Sequence, residues 1–406
     1  MMVETNKGAD AAQGSALEVF KVFLKLGVTS FGGPVAHLGY FRTEFIERRR
    51  WLSDRTYADL VALAQFLPGP ASSEVGIAIG QLRAGYRGAI GAWLGFTLPS
   101  AIAMVLFAYG VAALGDMTSS GWLHGLKVVA VAAVAQAVLA MFRTLAPDRE
   151  RATLAVAAAA IVLLLPGAWA QIAAIGLGAA AGVALLRADA ASADHVTLPV
   201  GISRTAGGVM LLAFLALLIG LPLLAAAVPV QTIKLVDSFY RAGALVFGGG
   251  HVVLPLLQAE VVPPGWVSNE AFLAGYGAAQ AVPGPLFTFA AYLGAVMGPQ
   301  PNGWLGAMLG LVAVFLPAFL LTLGALPFWD ALRRQPLAQA GLKGVNAAVV
   351  GLLLAALYNP VWIAGITSAG DFALAIVAFL LLMTWKVPPW IVVVLSAAGG
   401  AVLAKP

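Results

Sequence analysis

Apolar residues in this chain come in long runs separated by short polar loops. The runs fall at about 17–40, 57–83, 88–114, 121–142, 152–166, 169–186 and 206–228, then at about 235–259, 269–298, 303–328, 338–358, 361–384 and 387–404. Unbroken stretches such as 88–114 and 207–228 supply the ~20 residues a helix needs to cross a bilayer. They also lack the alternation of a membrane β-barrel. About 13 hydrophobic segments therefore predict an all-α polytopic membrane protein. The longest polar loop, 187–204, is too short for a soluble domain, and residues 1–15 read as a polar tail without a signal-peptide pattern.

The pattern repeats itself. Phe31-Gly32-Gly33-Pro34 returns 216 positions later as Phe247-Gly248-Gly249-Gly250. Ala64-Gln65-Phe66-Leu67-Pro68-Gly69-Pro70 returns after 215 as Ala279-Gln280-Ala281-Val282-Pro283-Gly284-Pro285, and Gly125-Leu126-Lys127 after 216 as Gly341-Leu342-Lys343. Three anchors in one order at one spacing predict an internal duplication, with repeats over 16–200 and 201–406. The first two segments of each copy are interrupted by glycine and proline, which release and break a helix. The arm 57–67 would reach only about 16 Å, roughly half of a ~30 Å hydrocarbon core. Such a segment is either a broken helix that crosses or a re-entrant hairpin with its tip near the midplane.

Charge favours the hairpin. With re-entrant segments and a cytoplasmic N-terminus, the arginines of 42–55, 83–87, 143–151, 187–204 and 333–334 and Lys386 all collect on the cytoplasmic side. The opposite loops then carry no Lys or Arg, as the positive-inside rule requires. Five full spans separate the starts of the two copies, and an odd number inverts the second. Two inverted-topology repeats with discontinuous helices near the bilayer midplane are a transporter architecture, and the interruptions mark the binding site.

Composition narrows the chemistry. Apolar residues make up 61% of the chain and charged ones 10%, which argues against a water-soluble enzyme. There are no cysteines and only four histidines, so disulfides, thiolate metal sites and haem are not expected, nor is any cofactor. The net charge of +5 comes from loop arginines and reads as topology, not as a nucleic-acid surface. No Walker sequence, His-Glu-x-x-His or nucleophile elbow is present, so neither an enzyme nor ATP-driven pumping is expected. The driving force is then an ion gradient, the membrane potential or the substrate's own gradient.

The candidate site follows from the breaks. After Pro70 and Pro285 a new helix begins with unpaired N–H groups, a setting suited to an anion. Gly32, Gly33, Gly69, Gly248, Gly249 and Gly284 allow close approach to the backbone, and Ser72, Ser73 and Thr288 add hydroxyls. Lys127 and Lys343 recur at matched positions in apolar helices, as anion-attracting charges or as side chains snorkelling to headgroups. Glu74 stands one turn into the new helix where the second copy has Phe289, as a proton carrier or as half of an ion pair with Arg83 or Arg241. His37 and His251 each follow a glycine break and titrate near neutrality when unperturbed. Asp237 and Arg241 form an i,i+4 pair of structural character, while His124 and His195 have no functional case. Small-residue spacings at Gly178–Gly182 and Gly306–Gly310 permit close helix packing, within the chain or in a homodimer.

Phe31-Gly32-Gly33-Pro34-Val35-Ala36-His37, with Arg50-Trp51-Leu52, Gln65-Phe66-Leu67-Pro68-Gly69-Pro70 and Phe247-Gly248-Gly249-Gly250-His251, resembles the chromate ion transporter family. The chain is similar to its long, two-domain members, whose halves are homologous and oppositely oriented, from about residue 15 to 400. The resemblance implies a multi-pass protein of the bacterial inner membrane that exports chromate on the proton-motive force and confers chromate resistance. Sulfate, of the same charge and shape, is the expected competitor. The residues themselves reach only as far as an oxyanion, so a sulfate or other oxyanion transporter, or an anion channel, stands beside chromate efflux.

Overall fold

The computed structural model describes residues 14–113, 121–165, 167–186 and 201–403. The tail before Gly14, Arg187 and His195 lie outside the described residues. The described chain is helical throughout, with no strand. Its first half runs α1 (Ala16–Thr29), α2 (Gly33–Arg42, continued by a wider turn over Thr43–Arg48), α3 (Asp54–Phe66), α4 (Ala71–Ala113), α5 (Gly121–Leu145), α6 (Arg149–Leu164) and α7 (Ala168–Leu185). After α8 (Arg204–Ala227), the second half runs α9 (Gln231–Ala244), α10 (Val253–Val261), α11 (Asn269–Ala279), α12 (Phe289–Val296) and α13 (Gly303–Ala325). It ends with the short α14 (Trp329–Leu332), α15 (Pro336–Ala356), the short α16 (Ile363–Gly365), α17 (Ala369–Met383) and α18 (Pro389–Leu403). Many starts are written locally: the side chains of Ser15, Ser53, Asp148, Ser203, Ser268 and Ser368 each accept a backbone N–H three residues on.

Among the described residues five helical stretches are long and apolar enough to cross a bilayer: Ala71–Ala113, Gly121–Leu145, Arg204–Ala227, Gly303–Leu332 and Pro336–Gly365. The other expected segments are shorter helices or broken pairs. Val209, Leu212, Leu215, Ile219 and Leu223 of α8 all lie exposed, which water would penalise and lipid does not. The chain is thus a multi-pass membrane protein.

The Gly/Pro interruptions fold the helices back. In α4 the backbone leaves helical values at Ala84 and Gly85, where φ is +62° at the glycine. Gly80 and Gly88, about 12 Å apart in a straight helix, consequently touch. A β-carbon on Gly80 would lie 2.3 Å from the Gly88 carbonyl oxygen. Gly294 of α12 and Gly306 of α13 make the same contact, 2.1 Å from a β-carbon on Gly294 to the Gly306 oxygen. The hairpin ends are tied as well. Arg83, closing the first arm of α4, lies 4.8 Å over the Trp51 ring before α3, 3.4 Å from Glu18 of α1, and accepts the Gly14 N–H at its carbonyl. In the second copy the Gly298 N–H donates to the Trp266 carbonyl at 2.9 Å, and both residues stand 215 after Arg83 and Trp51.

The two halves are interlocked. α15 packs on α6 and α7 of the first half, and α5 packs on α17 and α18 of the second. Glycines make both seams close: a β-carbon on Gly178 would meet the Gly344 oxygen at 2.8 Å, and one on Gly125 the Ser396 oxygen at 2.1 Å. Gly178–Gly182 and Gly306–Gly310 therefore serve packing within one chain, Gly182 against Ala340, Gly306 against Gly294 and Gly310 against Phe239.

Candidate functional site

Four glycine-bearing breaks meet at the centre of the molecule. Gly32, Gly33, Gly69, Gly248 and Gly284 hold φ between +73° and +151°, where a side chain is strained, and Gly249 sits at +155°. Two backbone hydrogen bonds join each copy to the other. The Gly69 N–H donates to the Val246 carbonyl at 2.7 Å, and the Gly284 N–H donates to the Ser30 carbonyl at 2.9 Å. Gly69 and Gly284 are 215 apart and Ser30 and Val246 are 216 apart, so one contact is made twice with the copies exchanged. Each Pro-Gly-Pro turn is thus pinned to the chain entering the other copy's glycine break.

Two cavities flank this crossing. The larger, of about 670 Å³, is lined by Gln65 and Gly69 of the first copy and by Gly248, Gly249, Lys343 and Asn346 of the second, with the ion-paired Asp59 and Arg333 also on its wall. The smaller, of about 400 Å³, exchanges the roles: Gln280 and Gly284 of the second copy face Gly32 and Gly33 of the first, beside His251, Gln136 and Lys386. Pro34 lines both. At its equivalent, Gly250, a β-carbon would sit 3.6 Å from the Pro34 ring and 3.8 Å from Leu286. Pro34 therefore stands between the cavities, beside Gly250.

The structure distributes the candidate residues unevenly. Gly32, Gly33, Gly69, Gly248, Gly249, His251, Gly284 and Lys343 line one cavity or the other. His37, Ser72, Ser73, Lys127 and Thr288 line neither. His37 is buried, its Nδ1 3.2 Å from the Ser72 hydroxyl, with Phe96 against the ring. The Thr288 hydroxyl donates to the Pro285 carbonyl and serves the local turn. His251 Nδ1 pairs with the Tyr276 hydroxyl at 2.7 Å. The matched pair Lys127 and Lys343 comes apart: Lys343 faces the larger cavity, whereas the lysine in the smaller one is Lys386.

Glu74 is wholly buried, and neither carboxyl oxygen has a hydrogen-bond partner among the described residues. The ion-pair alternative is excluded, because Arg241 is held by Asp237 and Glu260 and Arg83 by Glu18. The carboxyl group folds back on Gly69, where a β-carbon would fall 2.4 Å from Oε1. The hydroxyls of Ser73 and Thr97, the Trp93 indole N–H and the Thr322 hydroxyl of α13 are likewise buried without partners.

Sequence reasoning passed over several polar groups. Glu44 and Glu260 stand 216 apart, and each is a carboxylate gripped by arginine: the buried Glu44 by Arg48 and Arg49 at 2.9 and 2.8 Å, the partly buried Glu260 by Arg241 at 2.8 Å. The common offset was the signal that could have found them. Asp237 pairs with Arg241 as expected, and His124 reaches Asp371 at 2.9 Å. Asn346 and Gln136 carry no sequence signal, since their equivalents are Ala130 and Leu352.

Comparison with known proteins finds one family in both halves of the chain. The Chromate transporter family profile matches residues 17–183 and 233–401, once in each half. The chain is 30% identical over 390 residues to a chromate transport protein of Pseudomonas aeruginosa, covering 94% of this chain and 90% of that protein. It is 27% identical over 410 residues to a probable chromate transport protein of Synechococcus elongatus, covering 96% and 95%. It is also 32% identical over 175 residues to the uncharacterized transporter YwrB of Bacillus subtilis, covering 40% of this chain but 83% of that one. No solved structure matches.

Proposed function

This chain belongs to the chromate transporter family, and we propose that it exports chromate from the bacterial cytoplasm on the proton-motive force. The observation that carries this reading is the pair of cavities, each built from one copy's Pro-Gly-Pro turn and the other copy's glycine break. In the proposal the repeats 16–200 and 201–406 are inverted, so the cavities open to opposite faces of the inner membrane. The exchanged hydrogen bonds and the reciprocal packing of α5 and α15 support a two-fold relation of that kind. Glu18, Arg42, Arg48, Arg49 and Arg83 lie at the joined ends of the first two hairpins, which supports re-entrant segments and a cytoplasmic N-terminus.

The anion is held against the exposed backbone of Gly32, Gly33, Gly69, Gly248, Gly249 and Gly284, with Lys343 and His251 beside it. Pro34, which lines both cavities, stands where a carrier would separate them, and its place supports a carrier rather than an open channel. Glu74 is the coupling group. A bare carboxylate taken out of water without a partner is severely penalised, so the proposal assigns the exchange of the coupling proton to this buried carboxyl group. Ser72, two residues before Glu74, is paired with His37 of α2.

Uptake of chromate into everted membrane vesicles tests the reading, with and without energisation and with sulfate as competitor. Saturable, energised uptake abolished by an uncoupler is expected. Accumulation of sulfate without chromate would reassign the substrate, and non-saturable flux without counter-flow would replace the carrier by a channel.

A further inference from the structure

We propose that Gln65 and Gln280 are the side chains that grip the transported oxyanion, one in each cavity; this deepens the transport reading given above and rests on it. The two residues are equivalent, 215 apart, and each stands three before the first proline of its Pro-Gly-Pro turn. Gln65 faces the larger cavity opposite Gly248 and Gly249, and Gln280 faces the smaller one opposite Gly32 and Gly33. Gln65 has no hydrogen-bond partner among the described residues. The Gln280 amide reaches only the Tyr276 carbonyl, at a long 3.5 Å. Gln65 is exposed and Gln280 half-buried, so both carboxamides are free to meet a ligand that enters the cavities.

The second observation is independent of the duplication. Besides its glutamine, each cavity holds at least one further carboxamide and one lysine, and these come from positions that the repeat does not relate. The larger cavity has Asn346, Gln339 (its amide donating to the Arg333 carbonyl) and Lys343; the smaller has Gln136 and Lys386. Asn346 stands beside the glycine break, its side-chain oxygen 3.6 Å from where a Gly248 β-carbon would stand. Both cavities thus combine neutral carboxamides with one lysine, drawn from different residues. A tetrahedral oxyanion is acceptor-only, and each carboxamide offers it two N–H donors without a fixed charge. Neutral donors with one lysine bind an anion firmly enough to collect it and weakly enough to release it, as passage between sites requires.

The test uses the full chain in everted vesicles and measures initial uptake of chromate, sulfate and molybdate as a function of concentration. Gln65→Met and Gln280→Met keep the length of the side chain and remove the donors. Each is expected to raise KM about tenfold or more for whichever oxyanion the wild type carries, the cost of a hydrogen bond to a charged partner, with Vmax within about twofold. Gln65→Glu and Gln280→Glu keep the shape and reverse the electrostatics, and are expected to abolish saturable uptake while elution on size exclusion stays normal. If the glutamates disturb folding, Asn346→Leu supplies the same KM test from another helix. Wild-type KM in the methionine variants would overturn the proposal and leave chromate transport standing. Sulfate or molybdate uptake without chromate would remove the chromate reading while the KM shifts still decide this one. No uptake of any oxyanion would overturn both.

Discussion

Replacing Gly284 by alanine tests whether the two copies are pinned together as the backbone bonds indicate. Gly284 has φ of +88°, and a left-handed conformation costs an alanine about 1–2 kcal/mol. Its β-carbon would stand 2.9 Å from the Phe96 carbonyl oxygen and 3.0 Å from the Ser100 hydroxyl. The Phe96 oxygen belongs to the helical backbone of α4 and cannot swing away, so overpacking adds about 1–3 kcal/mol. Any shift that relieves it stretches the 2.9 Å bond to Ser30, which contributes roughly 0.5–1.5 kcal/mol. The sum is roughly 3–6 kcal/mol, a fall in melting temperature of about 4–7 °C on the usual scaling for a chain of this length. Gly39→Ala is the control: nothing lies within 4 Å of its β-carbon position, so it should be neutral or stabilise by about 0.4–1 kcal/mol. Gly69→Ala adds a cycle, since its β-carbon meets a side chain, Glu74 Oε1 at 2.4 Å. Part of its cost should vanish when Glu74 is also shortened to alanine. The readout is intrinsic tryptophan fluorescence or size exclusion after heating the purified protein in detergent. A Gly284→Ala melting point within 1 °C of the Gly39→Ala control would refute the reasoning.

Three further outcomes are expected. Glu74→Gln keeps the shape and removes the ionisable group, so the protein should fold normally while chromate uptake loses its response to an imposed pH gradient; retained coupling would take Glu74 out of the mechanism. Arg333→Met leaves Asp59 beside the larger cavity without its 2.9 Å partner and should cost roughly 3 kcal/mol, partly restored by adding Asp59→Asn; equal melting points for the single and double variants would dissolve the pair. Asp148, in the loop before α6, accepts the Arg151 N–H and faces its guanidinium, and these hold its carboxyl group below the usual carboxylate range. A depressed value means stability that is complete above about pH 4 and lost as the pH falls further. Asp148→Ala should therefore cost about 1 kcal/mol at neutral pH and nothing near pH 2, read from melting curves at both.

The duplication, the broken segments and the helical class were all legible in the chain. Glycine and proline act on the backbone locally, and the same tripeptide in an apolar run breaks a helix wherever it stands. Arg83 and Arg87 marked the turn between two segments, and the structure puts that turn at Ala84 and Gly85 within α4. What the sequence concealed was which side chains face one another. The offset made Lys127 and Lys343 a pair, but position in a repeat is a statement about the backbone. α5 and α15 pack on equivalent partners, yet a lysine on one lines a cavity while its equivalent does not. Asn346 and Gln136 were invisible for the same reason. Glu44 and Glu260 were visible in principle, yet a carboxylate among arginines reads as an ordinary solvated charge until its burial is known.

A duplicated carrier whose halves were chemically identical would have two states of equal energy, and a ligand that bound both equally would shift nothing. Coupling to a gradient needs a group that the two copies do not share. The framework here is symmetric in its backbone: equivalent glycine turns, exchanged hydrogen bonds and exchanged helix packing. The polar atoms behind the turns are not. Ser72, Ser73 and Glu74 stand where the second copy has Phe287, Thr288 and Phe289, and its Phe289 packs among Phe272, Tyr276 and Tyr292. One copy thus closes its turn with an aromatic plug and the other with a carboxyl group that has no partner. In the proposed cycle the plug is indifferent to protons. The carboxyl group must lose its proton when water reaches it and regain one before it is buried again. Glu74 lies against Gly69, whose N–H makes the bond to Val246. In the proposed cycle, proton exchange at Glu74 and the change of access between the cavities are therefore linked through this one backbone contact.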